Sequence, residues 1–104
     1  MTAFVANTNN LELLGLQNAS NGAYVNDATV SVTVKDASGT NVSGETWPIS
    51  MNYVSGSNGD YRCVLIDTLS FSPGMTYTAN ISVNAGANRI AFWSYDFRVL
   101  TRKD

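Results

Sequence analysis

No histidine occurs anywhere in the 104 residues. Without imidazole there is no common general base near neutral pH, no histidine-activated nucleophile and no imidazole metal site. A single cysteine, Cys63, excludes an internal disulfide and a cysteine-based metal centre. Charge is scarce: 13% of residues are charged, against about 25% in a typical domain, and the net charge is -2. A weakly acidic, lysine-poor surface has little hold on phosphate backbones or anionic lipid, so neither nucleic acid nor a membrane is an expected partner. The basic group Arg98, Arg102 and Lys103 reads as a solvated chain end. No apolar run approaches the ~20 residues of a membrane span. The start, Met1-Thr2-Ala3-Phe4-Val5-Ala6-Asn7, lacks the positive and apolar regions of an export signal, so synthesis in the cytoplasm without a signal peptide is expected.

The acids are scattered rather than paired: Glu12, Asp27, Asp36, Glu45, Asp60, Asp67, Asp96 and Asp104. Asp36, Asp60 and Asp67 fit turn formation better than catalysis. There is no phosphate-cradling glycine loop and no EF-hand spacing. No catalytic residue, cofactor site or metal site is expected, and the chain does not read as an enzyme. One minor option is a calcium ion between loops, if the fold brings Asn26-Asp27 near Asp67.

What is present is period-two alternation. In Thr29 to Val34 the valines share one face and hydroxyls the other. From Thr46 to Tyr53, Trp47, Ile49, Met51 and Tyr53 alternate with polar residues and Pro48. From Tyr77 to Ala85 the inner set is Tyr77, Ala79, Ile81, Val83 and Ala85. Further strands are expected at Leu11 to Leu16, Tyr61 to Ile66 and Ile90 to Leu100. In the last of these, Ala91, Trp93, Tyr95, Phe97 and Val99 share a face. Cys63 falls in phase with Tyr61 and Leu65, which makes it a buried, inert thiol. Each strand has one face for a core and one for water, and turn dipeptides such as Asn21-Gly22, Asn58-Gly59 and Pro73-Gly74 lie between them. Six to seven short strands of this kind give an all-β fold, an antiparallel sandwich of the immunoglobulin or fibronectin-III type.

Two features sharpen that class. The run Phe71-Ser72-Pro73-Gly74-Met75-Thr76-Tyr77 looks like a tyrosine corner, in which a Tyr hydroxyl bonds back to upstream backbone. Trp47 takes the place of the central core Trp. Trp47, Tyr61, Tyr77 and Trp93 are therefore expected in the core. Residues 1–10 lack alternation and read as an extended arm before a single sandwich domain at 11–104. The arm's Phe4 and Val5 either dock on a neighbouring subunit or fray. On the last strand, Ile90 and Phe92 interrupt an otherwise polar face, and form either a contact patch or a cap on the sandwich. A strand this regular, lying at an edge, is also a template for pairing with another chain.

The order of features runs from Asn26-Asp27-Ala28-Thr29-Val30-Ser31-Val32-Thr33-Val34 to Ala37-Ser38-Gly39 and Trp47-Pro48. It continues through Gly56-Ser57-Asn58-Gly59-Asp60-Tyr61 and Pro73-Gly74-Met75-Thr76-Tyr77 to a closing aromatic strand. Over about residues 10–99 this resembles the small immunoglobulin-like virion structural proteins of tailed bacteriophages and prophages. The resemblance implies a head decoration or accessory protein, a connector, or a tail module, with other virion proteins (capsid or tail) or further copies of the chain as partners. It implies no catalytic residues. It also fits a protein made in the cytoplasm yet dressed in Asn, Ser and Thr. Two other readings stand beside it: a glycan-binding or adhesion module using loops such as Ser55 to Asp60 and the aromatics of Tyr24, Tyr53 and the Ile90-Ala91-Phe92-Trp93 stretch, and an accessory domain of a cytosolic enzyme.

Overall fold

The computed structural model describes residues 2–4, 8–18, 22–86 and 90–101. Seven strands follow in chain order: β1 (Thr2–Phe4), β2 (Asn9–Leu13), β3 (Thr29–Lys35), β4 (Ile49–Tyr53), β5 (Tyr61–Leu65), β6 (Thr76–Asn84) and β7 (Ile90–Leu100). No helix appears among the described residues. The strands hydrogen-bond in the order β1-β7-β6-β3-β4-β5-β2. β4 is where the sheet folds over: Ile49 to Met51 pair with β3, whereas Asn52 and Tyr53 pair with β5. The result is a near-closed, sandwich-like wrap, with β1, β7, β6 and β3 on one side and β5 and β2 on the other.

The alternation dictates the core. β3 pairs with β6 along its whole length, Val30 with Val83, Val32 with Ile81 and Val34 with Ala79. All six side chains are buried, while the intervening Ser, Thr and Asn residues stay partly or fully exposed. Opposite them, β5 contributes Tyr61, Cys63 and Leu65, and β2 contributes Leu11.

Three expectations need correction. The supposed arm is part of the sheet: Thr2 to Phe4 run parallel to Arg98 to Leu100, with Ala3 fully buried. Three residues are too few for a period-two signal, and a parallel pair makes the sheet mixed rather than wholly antiparallel. Val5, the other arm residue, lies outside the described residues. Second, β2 begins at Asn9 and ends at Leu13, two to three residues earlier than the apolar run indicates. Asn9 is buried because its side chain serves as a backbone surrogate. Its Oδ1 accepts from the Phe4 N–H at 3.0 Å and its Nδ2 donates to the Phe4 carbonyl at 3.2 Å, tying β1 to β2. Third, β4 starts at Ile49, after the cis Trp47-Pro48 bond. Trp47 precedes the strand and is half-buried rather than central; its indole N–H donates to the Val42 carbonyl at 2.7 Å.

The corner before β6 has the expected hydrogen bond. The Ser72 N–H donates to the Tyr77 hydroxyl at 2.7 Å, and Phe71, Tyr77 and Phe97 pack ring against ring around it. At the opposite end Tyr61 is buried, and its hydroxyl donates to the Val25 carbonyl while accepting from the Ala28 N–H. The loop Val54–Asp60 is locked onto the loop after β2. Gly59, at φ +73°, lies so close to Leu16 that a Cβ would sit 2.5 Å from its carbonyl oxygen. Asn26 accepts from the Gly59 N–H, and Asp60 from the Gly15 N–H.

Candidate interaction surface on the last strand

β7 has 11 residues, about 36 Å at ~3.3 Å per residue, whereas β2 and β5 have five each. The strands of the opposing layer are thus less than half as long as β7. Along the inner face of β7, Val99 and Phe97 are buried, Tyr95 is half-buried and Trp93 is 42% exposed, while Ala91 beyond it is half-buried again and packs against the core. The expectation of a core Trp93 is thus overturned. Its phase is inward, in register with buried Ile81, but nothing among the described residues lies over it fully.

On the outer face the same stretch carries Ile90, 61% exposed, and Phe92, 75% exposed. Their cross-strand partners are Asn84 and Ser82. Farther along, the outer face is a hydroxyl and carboxylate ladder: Ser94 donates to Asn80 and Thr78 donates to Asp96. The most exposed apolar side chains of β7 thus lie at its Ile90 end, on both faces of the sheet, with Leu100 at the other end less exposed.

The third element is the backbone edge. The Val99 N–H donates to the Met75 carbonyl, and the Val99 carbonyl accepts from the Gly74 N–H, so the backbone groups of Val99 face the β6 side. Successive residues of a strand turn these groups to opposite edges. Those of Ile90, Phe92 and Ser94 therefore face away from β6. Among the described residues the one strand on that edge is β1, and its register ends at Arg98. Gatekeeping devices are missing as well: residues 90–95 contain no Lys, no Pro and no charge.

The other predicted contact residue does not join this surface. Phe4 is half-buried opposite Leu100, roughly 26 Å along β7 from Phe92. Nor does the fold assemble a calcium cradle from the residues considered for one. Asp27 lies beside the Tyr61 end of β5 and Asp67 beyond its Leu65 end, and Asn26 is engaged with Gly59. Among the described residues no three His, Cys, Asp or Glu side chains cluster as a metal site would require.

Two remaining features are chemically quiet. An open cleft of about 330 Å³ lies where β4 and β5 part, lined by Asn52 to Ser55 and Arg62 to Val64, with Arg62 its only charge. Cys63 is buried, and burial pushes its thiol up from 9.0 to about 11, the opposite of what a nucleophile needs. Sequence reasoning picked out Ile90 and Phe92 by their break in the polar face. It missed Trp93 as surface, because alternation reports a side chain's direction and not the length of the layer opposite. No family model matches the chain, and neither a curated protein nor a solved structure does.

Proposed function

We propose that this chain is a non-enzymatic structural protein of a tailed-bacteriophage particle, an immunoglobulin-like module that works through protein–protein contacts. The observation that carries the reading is the end of β7, where Ile90, Phe92 and Trp93 put exposed apolar side chains on both faces of a sheet edge that no strand pairs with among the described residues. Such a surface is unfavourable in water and is a liability unless a protein covers it. Elsewhere the loops at the Tyr61 end are bonded to one another, and the outer faces of β3 and β6 are mostly Ser, Thr and Asn. The immunoglobulin-like assignment is supported by the strand order, in which β4 changes partner between two layers, and by the Ser72–Tyr77 hydrogen bond at the β6 corner. The virion assignment rests on the resemblance in the order of sequence features.

The test is sedimentation of the purified protein with capsids and tails assembled from the virion proteins encoded beside it. Saturable co-sedimentation with either lattice is expected, and it would place the protein on head or tail. A protein that stays in the supernatant with both sinks the reading. The competing reading is a glycan-binding module, and the exposure of Tyr24, Phe92 and Trp93 is the observation in its favour. Phe92 and Trp93 face opposite sides of the sheet, however, so they form no flat platform for a sugar ring. Binding on a glycan array that is lost in Trp93→Ala would favour it instead.

A further inference from the structure

We infer that the open edge of β7 takes up the same edge of a second copy, the two strands running antiparallel across a two-fold axis at Phe92. This deepens the assembly reading and rests on it for its biological role, while its physical basis is independent.

Apolar residues on both faces of one edge point to an added strand rather than a face-on contact. A partner lying on the outer face would cover Ile90 and Phe92 and leave Trp93 in water. A strand continued at the edge brings side chains to both faces at once, and it satisfies the N–H and C=O groups of Ile90, Phe92 and Ser94.

The segment is complementary to itself. With Phe92 opposite its own copy, Ile90 pairs with Ser94 and Ala91 with Trp93. The backbone groups of Ile90, Phe92 and Ser94 face the seam, so the 92–92 and 90–94 pairs are the hydrogen-bonded ones. The 91–93 pairs are then the close, non-hydrogen-bonded ones, and they set the large indole against the smallest side chain of the strand. On the outer face the two Phe92 rings meet as a cross-strand aromatic pair beside Ile90. Residues 90–95 carry no charge, so no like charges oppose one another. The ladder also ends before Arg98, where β1 begins, so the edge is open over the stretch that the register needs.

Area argues for a whole second copy over a short free peptide. The exposed parts of Phe92 and Trp93 amount to roughly 250 Å², against about 800 Å² per partner in a stable complex. The side chains alone are too little. A second sandwich adds its β6–β7 hairpin alongside the ladder and joins the two sheets into one.

The register makes a sharp test. A hydrogen-bonded antiparallel pair places its Cα atoms ~5.5 Å apart, within the ~4.4–6.8 Å that a disulfide spans. Phe92→Cys should therefore cross-link to itself under mild oxidation, whereas Ser94→Cys, whose counterpart is Ile90, should do so at least tenfold more slowly; Cys63 is buried in both. In analytical ultracentrifugation the native protein should dimerise with rising concentration. Phe92→Lys should be monomeric over the same range, with an unchanged circular dichroism spectrum and melting temperature at dilution. A protein that is monomeric at every concentration and forms no Phe92→Cys dimer overturns the inference. So does a dimer that survives Phe92→Lys, since it would use another surface. A monomer that still co-sediments with a virion lattice would overturn only this inference. An edge-dependent dimer that binds no lattice would keep it and remove the virion reading.

Discussion

The two halves of β7 share one inward-facing apolar row and meet different fates. From Tyr95 to Leu100 the inward residues Phe97 and Val99 are sealed under the opposite layer, with Phe97 packed on Phe71 and Tyr77. From Ile90 to Trp93 the inward row continues with Ala91 and Trp93, yet Trp93 is open to water, and Phe92 on the outer face more so. β6 pairs with β7 in both halves, from Ile90 to Arg98. One difference lies in the neighbours: among the described residues β1 pairs with one half and not the other. Apolar content marks surface that needs covering, and only the lengths of the other strands decide whether the chain covers it itself.

The largest effect that would break this comparison is a matched pair of truncations. Phe97→Ala removes a buried ring and leaves a cavity, and should destabilise by about 3–5 kcal/mol. Phe92→Ala, measured at dilution where the protein is monomeric, should change stability by less than ~0.5 kcal/mol. Urea unfolding at equal concentration reads both. Similar losses at the two positions would mean that Phe92 is packed within one molecule and that no open half exists.

Much of this architecture could be read from the residues, for a physical reason. A side chain that alternates with polar neighbours declares its face, and Val30 to Val34 and Tyr77 to Val83 landed where the alternation puts them. The Tyr77 corner was legible because Pro73-Gly74 sets the turn and the strand phase sets the ring. What the residues did not declare were relations between distant segments. Ala3 gives no local hint that it pairs with Val99, and Asn9 looks like loop until its amide is seen bonded to Phe4. The candidate site was half legible for the same reason: Ile90 and Phe92 stand out within their own strand, while the exposure of Trp93 depends on the length of β2 and β5.

The next effect sits at the boundary between the halves. Cys63 on β5 lies close enough to Tyr95 to influence it: burial raises the Tyr95 phenol above its ordinary 10.0, and the Cys63 charge adds to this. The Cys63 thiol itself is raised to about 11. In the unfolded chain it ionises near 9.0, so between these values the folded state holds the proton that the unfolded state has released. Stability should therefore fall as pH rises from 9 to 11, by up to about 2 kcal/mol from this group. Cys63→Ala should flatten that slope, and urea midpoints across the alkaline range measure it. Identical slopes in the two proteins would mean that water reaches the thiol, and that the covered half is less tightly closed than Phe97 and Val99 indicate.

The smallest effect is spectroscopic, and it reports on the open half alone. The protein has two tryptophans: Trp47 is half-buried with its N–H bonded to the Val42 carbonyl, and Trp93 lies on the overhang. At dilution Trp93 should supply most of the acrylamide-quenchable, red-shifted emission. Trp93→Phe should remove that component with little change in stability, and Trp47→Phe should retain it. If Trp93 proves the better shielded of the two, the opposite layer reaches farther along β7 than its strand lengths allow, and the distinction between the halves fails. If its quenching declines with concentration in the native protein and not in Phe92→Lys, the overhang is being covered by a second molecule at the edge where its own chain leaves off.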